Sequence, residues 1–118
     1  MPRAPYFIRE NFFYSGTKVI RDMFVIVLTY VEPLDVVDRH LAAHVEYLKK
    51  QYEAGIFIAS GRRIPRSGGV ILARAGNRHA LQEILGQDPF RVHGVAEYDV
   101  IEFSPSMAAP ELSWLVES

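Results

Sequence analysis

Met23 to Val31, MFVIVLTYV, constrains the fold of this chain more than any other stretch. It is rich in β-branched and aromatic residues, the composition of a strand. Phe24, Ile26, Leu28 and Tyr30 fall on one face; Val25, Val27, Thr29 and Val31 fall on the other. A half-exposed strand alternates apolar with polar residues, whereas a strand apolar on both faces is covered on both. The rest of the chain must therefore supply two layers of cover.

Glu32-Pro33 turns the chain, and proline suits the first turn of the helix predicted over Leu34 to Gly55. Leu34, Val37, Leu41, Leu48 and Tyr52 recur at helical spacings, and His44 occupies the position that would continue this stripe. Gly55 stands where glycine commonly ends a helix. Ile56 to Gly61 reads as a second strand, Arg62 to Gly69 as a basic hairpin loop and Val70 to Ala75 as a third strand. Asn77 can cap a short helix over Arg78 to Leu85, with Ala80, Leu81, Ile84 and Leu85 inward. Asp88-Pro89-Phe90 is a turn in which Asp88 can cap a further helical turn through His93, and Val95 to Phe103 is the last strand.

The order β-α-β-β-α-β predicts an α+β fold, a ferredoxin-like sandwich with two helices on one face of an antiparallel sheet. Those helices cover one face of a strand that is apolar on both. The uncovered face would exceed the apolar patch, on the order of 300–600 Å², usual for a soluble monomer. An identical chain packed sheet to sheet, giving a homodimer with a barrel-like core, is the simplest cover. The alternative is cover by the flanking segments. Residues 1–22 crowd Tyr6, Phe7, Phe12, Phe13 and Tyr14 between helix and strand breakers, and read either as a docked arm or as an extension before a natural start at Met23. Residues 23–105 form the expected domain, and residues 106–118 a tail with Leu112, Trp114 and Leu115 as its anchor.

The chain has 118 residues, enough for one domain with its own core, and a net charge of −1, which makes no case for nucleic acid or an anionic membrane. It has no cysteine, so disulfides, thiolate metal sites and a cysteine nucleophile are excluded. No apolar run approaches the roughly 18 residues of a membrane span. The first residues lack the pattern of a signal peptide, and a cytoplasmic protein is expected.

His44 poses the chemical question, because an imidazole on an apolar stripe must find a partner. It is either a core histidine bonded to the backbone or a proton-transfer group whose partner is Asp88. Both predicted helices lie on one side of the sheet, which lets a carboxylate beside one reach the other. An Asp on one imidazole nitrogen fixes the tautomer, favours the protonated ring and frees the second nitrogen for chemistry. Asp88 reads equally as a simple N-cap. His40 and His44 have the helical spacing of a metal pair, but no Glu follows His40, so no metal is expected and His40 is placed at the solvent edge. Arg62, Arg63 and Arg66 could receive an anion or merely be solvated. Ser60 fits the lining of a pocket; Phe90 and Tyr47 could wall one or fill core.

The strand at Met23, His44 followed by YLKKQYEAG, then IASG, PRSGGVILARA, QDPF and VAEYDVIEFSP together resemble the YCII-related (YciI-like) family, over about Met23 to Pro105. The resemblance implies the dimeric α/β-barrel form of the ferredoxin-like fold. It also implies a pocket in which His44 and Asp88 are the catalytic pair, with Ser60 and Arg66, and Phe90 beside them, binding substrate. A small enzyme follows as the expectation, performing cofactor-independent proton transfer, elimination or isomerisation on a small oxygenated molecule, aromatic ones included. The alternative is a ligand-binding or regulatory dimer module without catalysis.

Overall fold

The computed structural model of the chain describes residues 7–8 and 22–116, so the expectations for the aromatic extension lie almost wholly outside the described residues. The main sheet has four strands. β2 (Asp22–Tyr30) lies at its centre, between β4 (Gly68–Ala75) and β5 (Ala96–Phe103), and β3 (Phe57–Arg62) forms the edge beyond β4. All three pairings are antiparallel, giving the order β3-β4-β2-β5 of a ferredoxin-like fold. A separate two-stranded ribbon pairs β1 (Phe7–Ile8) with β6 (Met107–Ala108).

Phe24, Ile26 and Leu28 of β2 are fully or almost fully buried under the helices, as expected for a central strand. Ile71, Ala73 and Ala75 of β4 and Phe57 of β3 extend this floor. A bulge between Phe57 and Ala59 takes up one extra residue and returns Ser60 to the helical side, opposite Ile71. Gly68 is required where β4 meets β2. A Cβ there would stand 1.8 Å from the Leu28 carbonyl oxygen, so no other residue lets these backbones pair.

Helix α1 runs Leu34–Glu53, starting after Pro33 with Asp35 in its first turn and Lys50 in its last, each matching the helix dipole. Gly55 at φ 75° releases the chain into β3. The stripe expected on α1 is rotated: the buried residues are Val37, His44 and Tyr47, while Leu34, Leu41 and Tyr52 are exposed. Leu41 and Leu48 wall a cleft instead of filling the core. Helix α2 (Arg78–Leu85) is capped by Asn77, whose Oδ1 accepts from Ala80 N–H at 2.8 Å, and it buries Leu81 and Leu85. The short α3 (Pro89–Val92) follows at once, capped by Asp88.

On the other side of the sheet Val25, Leu72 and Ile101 stand in one row and Val27, Val70 and Asp99 in the next. The chain past β5 reaches one end of this face. Arg74 Nη1 donates to the Trp114 carbonyl at 2.8 Å, with the guanidinium over the indole ring. Of the expected trio, Trp114 meets Arg74 and Leu115 is half-buried. Val116 is buried, whereas Leu112 and Trp114 stay about 40% exposed because only one side of the 3₁₀ stretch Pro110–Leu115 faces protein.

Candidate active site

The sequence sets His44 and Asp88 44 positions apart, and two tight turns bring them together. Gln87 N–H donates to Ile84 O and Asp88 N–H to Leu85 O, so the chain reverses directly out of α2. Pro89 then starts α3 where a missing N–H costs nothing. Asp88 ends up beneath the middle of α1, wholly buried.

Three donors converge on this carboxylate. Oδ1 accepts from His44 Nδ1 at 2.8 Å and from Phe90 N–H at 3.0 Å, and Oδ2 accepts from the Tyr98 hydroxyl at 2.6 Å. Asp88 is thus both an N-cap and the partner of His44, the two readings its sequence position allowed. A buried ionised carboxylate accepts and never donates, so His44 Nδ1 carries the proton in this network. Among the described residues Nε2 has no hydrogen-bond partner. The His44 ring lies parallel to Phe90, centroids 4.0 Å apart and planes within 8°, which fixes its plane while Asp88 fixes its rotation.

Two tyrosines close the back of the pair. Tyr47 donates to the Ile84 carbonyl at 2.8 Å and is core rather than pocket wall; burial, then the Asp88 charge, push its phenol above the ordinary range. The same causes, with the hydrogen bond to Asp88 added, push Tyr98 up as well. Both therefore stay protonated donors at neutral pH.

His44 and Phe90 open onto a cleft of about 380 Å³ between α1 and the β3–β4 hairpin. Leu41, Val45 and Leu48 wall it from α1, Leu28 and Ile71 from the sheet. Its polar side chains are Tyr30, His44, Ser60, Arg62 and Arg66. The five site residues expected from sequence thus converge: His44 and Asp88 bond directly, while Phe90, Ser60 and Arg66 line the cleft. Two of them carry partners that spacing could not reveal. Ser60 shares a hydrogen bond with Tyr52, and Arg66 is ion-paired with Asp38, a bond that holds the guanidinium above its ordinary value. These links tie α1 to the hairpin.

His40 is half-buried rather than at the solvent edge, its ring stacked on His93 with centroids 4.0 Å apart. Among the described residues no group of three or more His, Asp or Glu is placed to hold a metal ion. Tyr98, Tyr52 and Asp38 were not foreseen. Only Tyr98 had a signal: it shares the inward alternation of Ala96 and Val100 on the last strand.

A family model described as the YCII-related domain matches residues 23–104. No curated protein matches the chain. Among solved structures, the fold resembles 5-chloro-2-hydroxyhydroquinone dehydrochlorinase from Burkholderia phenoliruptrix AC1100, in complex with 2,5-dihydroxybenzoquinone. The TM-score is 0.61 at 18% identity, covering 69% of this chain and 92% of that one.

Proposed function

The chain belongs to the YCII-related family, and on that footing we propose that it is a small-molecule enzyme in which His44 moves a proton on an oxygenated, ring-sized substrate. The observation that carries this reading is the buried Asp88 carboxylate 2.8 Å from His44 Nδ1, with Nε2 left for the cleft. As general base, Nε2 takes a proton from a carbon or hydroxyl of the substrate, and the imidazolium forms against Asp88. In an elimination the electron pair of the broken bond expels a leaving group on the neighbouring carbon. In an isomerisation the same proton returns at another carbon.

The apolar walls suit a ring, and a cleft of about 380 Å³ has the size of a small-ligand site. Arg66, already charged and held by Asp38, and Ser60 offer donors to a substrate oxygen. The fold-similar dehydrochlorinase was solved with a dihydroxylated quinone, which makes such rings the first probes to try. Val25, Leu72 and Ile101, with Val27 and Val70 beside Asp99, on the sheet's other face support a homodimer as the working assembly.

The test uses 2,5-dihydroxybenzoquinone for binding and 5-chloro-2-hydroxyhydroquinone for turnover, followed by a panel of hydroxylated rings and their lactones. Turnover of any member that is lost in both His44→Gln and Asp88→Asn supports the enzyme. A member bound equally by wild type and His44→Gln and never turned over would assign a binding module instead. Full turnover by both variants would overturn the role of the pair.

A further inference from the structure

Asp88 carries more than the His44 contact requires. Its second oxygen is met by the Tyr98 hydroxyl at 2.6 Å, from the edge strand β5 on the side away from His44. The Tyr98 ring is half-buried and borders a separate groove, with the Arg91 guanidinium 5.2 Å from its centroid. A phenylalanine would meet the packing needs of that position equally well. The hydroxyl is what needs explaining, and the group it touches is a carboxylate with no exposure to water.

We propose that Tyr98 is a positioning residue of the site, whose hydroxyl fixes the rotation of the Asp88 carboxylate and sets how tightly His44 holds its proton. This rests on the reading of His44 as the proton-transfer group. A buried carboxylate with one unmatched oxygen can rotate about its χ2 axis or draw in water, and either movement would shift Oδ1 away from Nδ1. With Oδ1 held by Phe90 N–H and Oδ2 by Tyr98, both rotations are blocked. The electrostatic effect has a definite sign. The O–H dipole turns its positive end to Asp88, which makes the potential at His44 less negative. Removing that dipole makes His44 take up its proton at higher pH; strengthening it does the reverse. The other titratable or charged groups around the pair are Tyr47 from α1, Tyr30 from β2, Arg91 from α3, and Arg62 and Arg66 across the cleft, and the test leaves all five unchanged.

The experiment follows the His44 ring by NMR across pH in the full chain, with no substrate present. Tyr98→Phe is expected to raise the midpoint of the His44 titration by about half a pH unit or more relative to wild type. A 3-fluorotyrosine placed at position 98 alone keeps the shape, makes the phenol a stronger donor and should lower the midpoint. Opposite shifts in the two proteins support the proposal. Unchanged midpoints in both, or shifts of the same sign, would overturn it. If Tyr98→Phe does not fold, the fluorinated protein alone decides, by a lowered midpoint against an unmoved one. Because the readout is the charge on His44 itself, a negative result here is separate from failure of the turnover experiment, which concerns whether that charge does any chemistry.

Discussion

At the scale of single residues the molecule is organised by one buried acid. Asp88 would be costly to bury alone, and it is tolerated because both of its oxygens meet donors. That makes the pair a unit. If an identified substrate is turned over, Asp88→Asn and His44→Gln should each lower kcat by roughly 10²–10⁴-fold. The double variant should be hardly worse than either single one, since groups acting together are not additive. A double variant whose loss equals the product of the two would assign His44 and Asp88 to independent roles. The surrounding phenols give a prediction that needs no substrate. Tyr47 and Tyr98 are held neutral by the fold, so their folded values lie above the unfolded one near 10. Their contribution to stability is complete below about pH 10 and drains away as pH rises beyond it, because the unfolded chain alone releases those protons. Tyrosinate absorbance should show some of the six tyrosines ionising reversibly with the chain folded, and Tyr47 and Tyr98 only together with loss of structure. Ionisation of all six without any change in circular dichroism would contradict this.

At the scale of elements, sequence and structure agree on the helices and the strands of the main sheet, and part ways on the small β1–β6 ribbon and on which face turns where. The strand at Met23, both caps at Asn77 and Asp88, and the ends of α2 were all readable, because strand composition and capping are local properties. The face of α1 was not. Leu41, Val45 and Leu48 have the same spacing as core residues, yet they wall a cleft, and the true inner face runs through Val37, His44 and Tyr47. Apolarity cannot distinguish a side chain buried by protein from one waiting for a ligand. The Ser60–Tyr52 and Arg66–Asp38 links were unreadable for a related reason, since they depend on how the hairpin folds over α1. This division can be tested. Leu41→Ser and Val45→Ser remove apolar groups that are 37% and 38% exposed, so stability should change by less than about 1 kcal/mol while ring binding weakens. A strongly lowered melting temperature would place them in the core after all. Gly68→Ala should behave in the opposite way. The added methyl collides with the Leu28 carbonyl, breaking the β2–β4 ladder, and a loss of about 3 kcal/mol or more is expected in denaturant titration.

At the scale of the whole molecule, the decisive surface is the sheet face opposite the helices. Arg63 reaches one end of it, donating to Thr29 Oγ1 at 3.1 Å, and the chain around Trp114 meets Arg74 at the other. Between them lie Val25, Leu72 and Ile101 in one row and Val27, Val70 and Asp99 in the next, with Ile101 55% exposed. Of the two covers weighed from sequence, a partner and the flanking chain, the described tail reaches only one end of this face, and the proposed dimer would take the middle rows. In the proposed dimer a two-fold axis stacks the rows of one sheet on those of the other, and a stable pair needs about 800 Å² from each copy. Leu72 stands in the centre strand pairing, between Val25 and the edge strand β3, and points away from the cleft. Leu72→Asp should therefore convert a dimer into a monomer in sedimentation equilibrium while His44 keeps its titration. A wild-type chain that sediments as a monomer at micromolar concentration would leave this apolar face without the partner its composition calls for, and the proposed dimer would be wrong.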